Sequence, residues 1–332
     1  MFFSIIIPVY NRPDEIQELL ESLANQQYKN EFEIVIIEDG STIPCQNVVH
    51  QFEDKLNIAY YLKYNSGPGD SRNFGMNLAK GDYFIIFDSD CIIPNHYLQT
   101  VATSLENQYV DCFGGPDTAH ESFTAIQKAI NFSMTSFLTT GGIRGGSEKI
   151  DTFQPRSFNM GISKKAFIAS KGFSNIHPGE DPDLSIRLWK LGYKTKLISE
   201  AAVFHKRRIN WDKFYIQVKK FGKVRPILNL WHPNYSKITY FVPAFFVIGF
   251  YLSIVALFFL LDIFIKLYFF YFVLIFIVSS IQNRSVIIGY LSVIATWKQF
   301  FGYGYGFIKS YYKLNIKKQT PEEAFPELFY KI

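Results

Sequence analysis

Asp88 and Asp90 stand one residue apart, directly after the apolar run Tyr83-Phe84-Ile85-Ile86-Phe87. An unbroken apolar run bounded by Gly81-Asp82 reads as a strand buried on both faces. Sheets built of such strands carry helices on both sides and bind ligands at the carboxyl ends of the strands. Two carboxylates at such an end are unfavourable to desolvate unless a cation or hydrogen-bond donors offset them. A hard divalent cation that also holds a diphosphate meets that need. Taken alone, the triplet Asp88-Ser89-Asp90 reads equally well as an acidic loop after a strand.

Other polar clusters sit at comparable places. Pro8-Val9-Tyr10-Asn11 closes the first apolar run and offers either a surface turn or an aromatic face for a base. Glu38-Asp39-Gly40-Ser41 closes the second. An acid there can accept from a base N–H or a ribose hydroxyl, and Gly40 lets the backbone approach a ligand, although a capped turn has the same composition. Gly67-Pro68-Gly69-Asp70-Ser71-Arg72-Asn73 opens a helix, where amide groups and an arginine suit a nucleotide. Pro178-Gly179-Glu180-Asp181-Pro182-Asp183 sets carboxylates at a helix start, where the dipole favours the ionised form that a general base needs. Capping accounts for at least one of these acids. His205, after Ala202-Val203-Phe204, is a metal ligand or a packed imidazole, and Lys206-Arg207 serves a phosphate or a membrane face.

The elements that must position these groups alternate between strand and helix. Ser4–Val9 is apolar and β-branched, and Ile16, Leu19, Leu20 and Leu23 recur at helical spacing behind Pro13, Asp14 and Glu15. Glu33–Ile37 and Asn57–Leu62 are strands, and Asp70–Lys80 is a helix stopped by Gly81. This order predicts an α/β fold, a Rossmann-like, mostly parallel sheet flanked by helices, with the first four clusters on one edge. Val110–Phe113 is a short strand leading to Gly114-Gly115-Pro116, residues 139–149 form a Gly/Thr-rich loop, and Lys164–Ser170 and Asp181–Leu191 are short helices.

Aromatic residues are unevenly spread: the chain has 34 Phe and 21 Tyr among 332 residues, concentrated in an apolar tract over 238–308. The division expected is a catalytic domain over 1–230, a membrane region over 231–310 and a cytoplasmic tail over 311–332. Transmembrane helices are expected near 238–261 and 264–281, with a third segment, 285–308, spanning or interfacial. The basic residues before the tract, Lys206 to Lys237, place the catalytic domain and Arg284 on the cytoplasmic side. A net charge of +5 placed in this way fits an anionic membrane surface and gives no nucleic-acid partner. Cys45, Cys91 and Cys112 form neither a disulfide framework nor a metal spacing, which fits a reducing compartment. The residues Phe2–Ile7 read as a first strand rather than a secretory leader.

In their order along the chain, these motifs resemble the inverting family 2 glycosyltransferases of the GT-A fold, of the membrane-anchored bacterial type, over residues 3–230. The resemblance implies that Pro8 and Tyr10 line the nucleobase, with Tyr10 stacking, and that Asp39 binds the base. Arg72 matches the family's Arg-Asn pair near the nucleotide, and Asp88 faces the ribose. Asp90, with His205, holds a divalent cation, Mg²⁺ or Mn²⁺. Asp181 is the catalytic base and Glu180 its companion, while Gly115 and Asn159 fall on the donor-sugar or acceptor side. The implied partners are a UDP- or GDP-sugar, a glycan or lipid-linked acceptor and the bacterial inner membrane, crossed more than once. Processive members carry Gln-x-x-Arg-Trp before their membrane helices, and here Gln217-Val218-Lys219-Lys220-Phe221 departs from it. Transfer of a single sugar is therefore favoured over a processive polysaccharide synthase. A non-catalytic scaffold is disfavoured by the presence of Asp90 and Asp181, and a nucleotidyltransferase by the lack of a Gly/Lys-rich loop after the first strand.

Overall fold

Successive side chains of β1 (Phe3–Val9) serve opposite faces of a sheet. Ile5 and Ile7 join one buried cluster, and Ile6 joins another. The same division runs through β2 (Phe32–Asp39) and β4 (Tyr83–Phe87): Ile34, Ile36, Ile85 and Phe87 point one way, and Val35, Ile37, Phe84 and Ile86 the other. The structure, a computed structural model, describes the chain apart from residues 119–122, 142–152, 207–209 and 331–332. The Gly/Thr-rich loop anticipated at 139–149 therefore lies mostly outside the described residues.

The remaining strands are β3 (Ile58–Lys63), β5 (Cys91–Ile92), β6 (Cys112–Gly114), β7 (Asp117–Thr118), β8 (Asn159–Ser163), β9 (Thr195–Leu197) and β10 (Val203–His205). Seven of them form a sheet in the order β3-β2-β1-β4-β8-β6-β9, and β5-β10-β7 form a small second sheet. All pairings of the large sheet are parallel except those of β8, which runs antiparallel to β4 and β6. The helices Pro13–Ala24 and Tyr97–Asn107 cover one face, through Leu19, Leu23, Leu98 and Val101. Pro68–Leu78, Lys164–Ser170 and Glu180–Lys190 cover the other, through Met76, Ala166, Leu184 and Leu188. The mostly parallel α/β sheet anticipated from the sequence is thus present.

The residues group into two units: Met1–His120, Glu148–Lys206 and Phe329–Ile332 in one, Glu121–Ser147 and Arg207–Leu328 in the other. This differs from the boundary anticipated at residue 230. The helix Trp211–Trp231 belongs with the second unit because its Phe214 and Val218 pack on Ile130, Met134 and Ala295. Phe329 and Tyr330, anticipated as part of a tail, group with the sheet unit.

In the second unit the apolar tract forms the helices Val242–Leu257, Ile263–Gln282 and Val286–Tyr311. Among the described residues only Ile263–Gln282 is long and apolar enough to cross a membrane. Val242–Leu257 has 16 residues, about 24 Å of helix, against about 30 Å of bilayer hydrocarbon. Val286–Tyr311 carries Lys298 and Lys309 and buries a face of small and aromatic residues, including Ser292, Ala295, Thr296 and Phe300, against its neighbours. The helix Val242–Leu257 is thus shorter than the span anticipated near 238–261, and of the two alternatives for 285–308 the interfacial one stays open.

Candidate active site

Arg72, in the first turns of the helix Pro68–Leu78, is buried, and its guanidinium faces two acids from distant segments. Nη2 donates to Asp88 Oδ1 at 2.7 Å, and Nη1 donates to Glu180 Oε1 at 3.2 Å. One cation thereby ties the end of β4 to the start of the helix Glu180–Lys190. Burial works against the Arg72 charge, but Asp88, Glu180 and Asp181 outweigh it and raise its pKa. Such a buried pair holds geometry rather than adding much net stability, since desolvation offsets most of the attraction.

Glu180 is saturated from the other side as well, because His177 Nδ1 lies 2.9 Å from the same oxygen. Burial opposes its ionisation, yet His177 and Arg72 pull its pKa down to about 2. Asp181 behaves in the opposite way. Burial, and then the neighbouring Glu180 charge, push it up to about 6 against the pull of Arg72 and Arg156. Its Oδ1 is buried and has no hydrogen-bond partner among the described residues. Two adjacent carboxylates thus diverge: one is a fixed anion, the other a carboxylate poised to take a proton near neutral pH.

The loops after β1 and β2 are braced by side chains. Asn11 Oδ1 accepts from the amides of Thr42 and Ile43 at 2.8 and 2.9 Å, which joins the turn after β1 to the loop after β2. Pro8 lies near the end of β1, and Tyr10, at 51% exposure, presents an open ring. Glu38 is the internal brace of that loop, accepting from the Cys45 amide at 2.8 Å and the Tyr60 hydroxyl at 2.9 Å. Asp39 accepts from the amides of Ser66 and Gly67, each at 2.9 Å, and from Lys63 Nζ at 3.2 Å. It therefore orders the loop that leads into the Arg72 helix.

Asp90 and His205 come together although 115 positions separate them: His205 Nε2 lies 3.1 Å from Asp90 Oδ1. Pairing of β10 with β5 places Cys91 opposite His205 and so brings Asp90 within reach. The imidazole stacks on Phe158 at 4.5 Å, and its Nδ1 lies 3.8 Å from Asp117 Oδ2. A carboxylate and an imidazole on one spot suit a divalent cation of the Mn²⁺ or Mg²⁺ kind, with the Asp117 carboxylate close to the ring's other nitrogen. Cys91 Sγ completes a cluster within 4.8 Å. Burial and then Asp90 push that thiol's pKa well up, which leaves it protonated and a poor ligand.

Gly115 and Asn159 lie in the interior. A Cβ on Gly115 would stand 1.9 Å from the Ala201 carbonyl oxygen. The Asn159 amide donates to the Ala201 carbonyl at 2.8 Å, and its oxygen accepts from the Tyr97 hydroxyl. Both residues hold β8 to the following loops. Gln217–Phe221 lies within the helix Trp211–Trp231, where Phe221 packs against Ile130, Phe214 and Val218. Sequence reasoning passed over His177, Lys63 and Asp117. Of these, His177 alone carried a local signal, three positions ahead of Glu180.

A mostly parallel sheet that gathers braced loops, an acid pair and a carboxylate–imidazole cluster on one unit has the form of the GT-A class of fold. The profile of the family described as Glycosyl transferase family 2 matches residues 4–169, half of the chain, and the chain belongs to that family. The poly(ribitol-phosphate) beta-N-acetylglucosaminyltransferase TarS of Staphylococcus aureus is 39% identical over 114 residues, 33% of this chain and 20% of TarS. A poly(ribitol-phosphate) beta-glucosyltransferase of Bacillus spizizenii is 37% identical over 113 residues, 32% of this chain and 18% of its own. The match thus spans only about a fifth of the length of these relatives. Solved structures share the fold. TarS 1–349 in complex with UDP-GlcNAc superposes with a TM-score of 0.52 at 19% identity, covering 96% of this chain and 93% of that one. The mannosyltransferase PcManGT of Pyrobaculum calidifontis, in complex with GDP-Man and Mn²⁺, gives 0.54 at 14% identity, covering 68% and 63%.

Proposed function

We propose that this protein moves a single sugar from a nucleotide-diphospho-sugar to a hydroxyl of a glycan or lipid-linked acceptor, with inversion at the anomeric carbon. The observation that carries this reading is the contrast between Glu180 and Asp181. Arg72 and His177 consume Glu180, while Asp181 keeps a buried oxygen without a partner among the described residues and a pKa raised to about 6. A single proton acceptor, with its neighbour Glu180 already bound and no other carboxylate available beside it among the described residues, fits one displacement from the face opposite the leaving group.

The other residues divide the binding work. Tyr10 offers its open ring to the base, Asp39 holds the loop and the base edge, and Arg72 and Asp88 face the ribose and phosphates. Asp90 and His205 are the residues that would hold the cation, and a bound divalent ion neutralises charge on the departing diphosphate. Asp181 accepts the acceptor hydroxyl proton as that oxygen attacks. UDP-GlcNAc and GDP-mannose, the ligands of two similar structures, are the first donors to try, with UDP-glucose beside them for the glucosyl transfer that one relative's name gives.

We also read the second unit as a membrane anchor. Phe258, Phe259 and Leu260 at the turn between two apolar helices are 84%, 72% and 92% exposed. Leu267, Phe269 and Phe270 continue that apolar surface along Ile263–Gln282. Water disfavours so large an apolar surface, and a bilayer takes it up. The test of the activity is incubation of the membrane-bound protein with those three donors, with and without Mn²⁺. Release of UDP or GDP coupled to sugar transfer is the expected result, and no turnover of any nucleotide sugar refutes the reading.

A further inference from the structure

One aromatic side chain stands at the nucleotide end without a role so far. Phe329 forms an antiparallel bridge with Ile176, and the Tyr330 amide donates to the Asn175 carbonyl at 3.1 Å. These bonds fix the backbone of Tyr330 beside the segment that leads into His177 and Glu180. Its ring lies against Gly67, where a Cβ would come within 2.4 Å of ring atoms Cδ2 and Cε2. Gly67 also has a φ of 92°, so both space and backbone call for glycine there. The ring centroid is 6.1 Å from that of His177. What remains between these groups and the helix Pro68–Leu78 is a cleft of about 20 Å³, lined by Ser66, Asp70, Phe173, His177 and Tyr330 among others. That is room for about one water, so the ring closes this wall.

The phenol stands within electrostatic reach of the site. Burial, then Asp39, Glu180 and Tyr10, push its pKa up. Both carboxylates are already served, Asp39 by two amides and Lys63, Glu180 by Arg72 and His177.

We propose that Tyr330 is a nucleotide-binding residue: its ring closes the wall of the nucleoside subsite at Gly67, and its hydroxyl donates a hydrogen bond to a bound nucleoside diphosphate in the space bordered by Asp39, Tyr10 and Glu180. This rests on the nucleotide-sugar reading above. Calorimetric titration of the full chain with UDP and with GDP tests it. Tyr330→Ala is expected to weaken the preferred nucleotide about 10-fold or more, and Tyr330→Phe about 2- to 10-fold, as for one lost hydrogen bond. The phenylalanine variant keeps the ring on Gly67, so its loss cannot be ascribed to packing. In the wild-type protein, nucleotide is expected to slow hydrogen exchange over residues 326–330. Unchanged affinity in both variants overturns the proposal. Tighter binding overturns it too, by marking the ring as a plug that the ligand displaces. Failure of the underlying reading looks different: the wild-type protein then takes up neither UDP nor GDP, and the proposal falls with it.

Discussion

Asp181→Asn should stabilise the protein while abolishing transfer, and the gain should depend on pH. Burial, and then the Glu180 charge, push the native carboxyl up to about 6, against an ordinary value of 3.8. The folded state therefore binds this proton more tightly than the unfolded state, and ionisation above pH 6 works against folding. The step from 3.8 to about 6, at about 1.36 kcal/mol for each tenfold change in acidity, makes the penalty at pH 7.5 about 3 kcal/mol at most. Asp181 keeps one edge accessible, so solvent reduces that ceiling, and about 1–3 kcal/mol is the working range. The penalty is fully present above the native pKa, fades as pH falls through 6 and vanishes below about 4. Thermal unfolding of wild type and variant across pH 5 to 7.5 reads it. The variant should melt several degrees higher at pH 7.5, with the advantage about halved at pH 5. A variant that is less stable at pH 7.5, or whose advantage does not change with pH, would refute the assignment of a strained carboxylate.

Three other outcomes follow from the geometry. Arg72→Lys supplies a charge without the fork that reaches Asp88 and Glu180 together; kcat/KM should fall about 10- to 100-fold, the range for a lost hydrogen bond to a charged group, and unchanged kinetics would contradict the bridging role. Asp117→Asn should weaken Mn²⁺ binding about 10-fold or more by loosening the His205 ring, read by titrating the metal against intrinsic fluorescence or activity; an unaltered Mn²⁺ affinity removes Asp117 from the site. The protein should stay with the membrane pellet after an alkaline carbonate wash, because its exposed apolar helices hold it there; release into the supernatant would contradict the anchor.

Much of the sheet was legible because alternation and burial coincide in β1, β2 and β4, whose residues can satisfy only one arrangement of two covered faces. The strand Tyr83–Phe87 appears with the bounds that its residues suggested. The strand β8 was missed: Asn-Met-Gly-Ile-Ser carries too few β-branched residues to signal a strand, and its place between β4 and β6 is set by pairing. The acid pair at Glu180-Asp181 was visible, but not the division of labour between them. That depends on Arg72 and on His177, which meet Glu180 only in the folded chain. Asp117 and Tyr330 gave no signal, because β10 and the bridge at Ile176 bring them in from far along the sequence. Asn159 shows the converse, a polar residue near the site motifs whose amide is spent on the interior.

The most direct test of the central claim is the pH dependence of sugar transfer by the wild-type protein, set beside that of Asp181→Asn. With Asp181 as the base, kcat/KM should fall about tenfold per unit below about pH 6. The variant should lose about 10²- to 10⁴-fold while binding nucleotide as before. A variant that transfers sugar at the wild-type rate, or an acid limb near the ordinary aspartate value of 3.8, would contradict it.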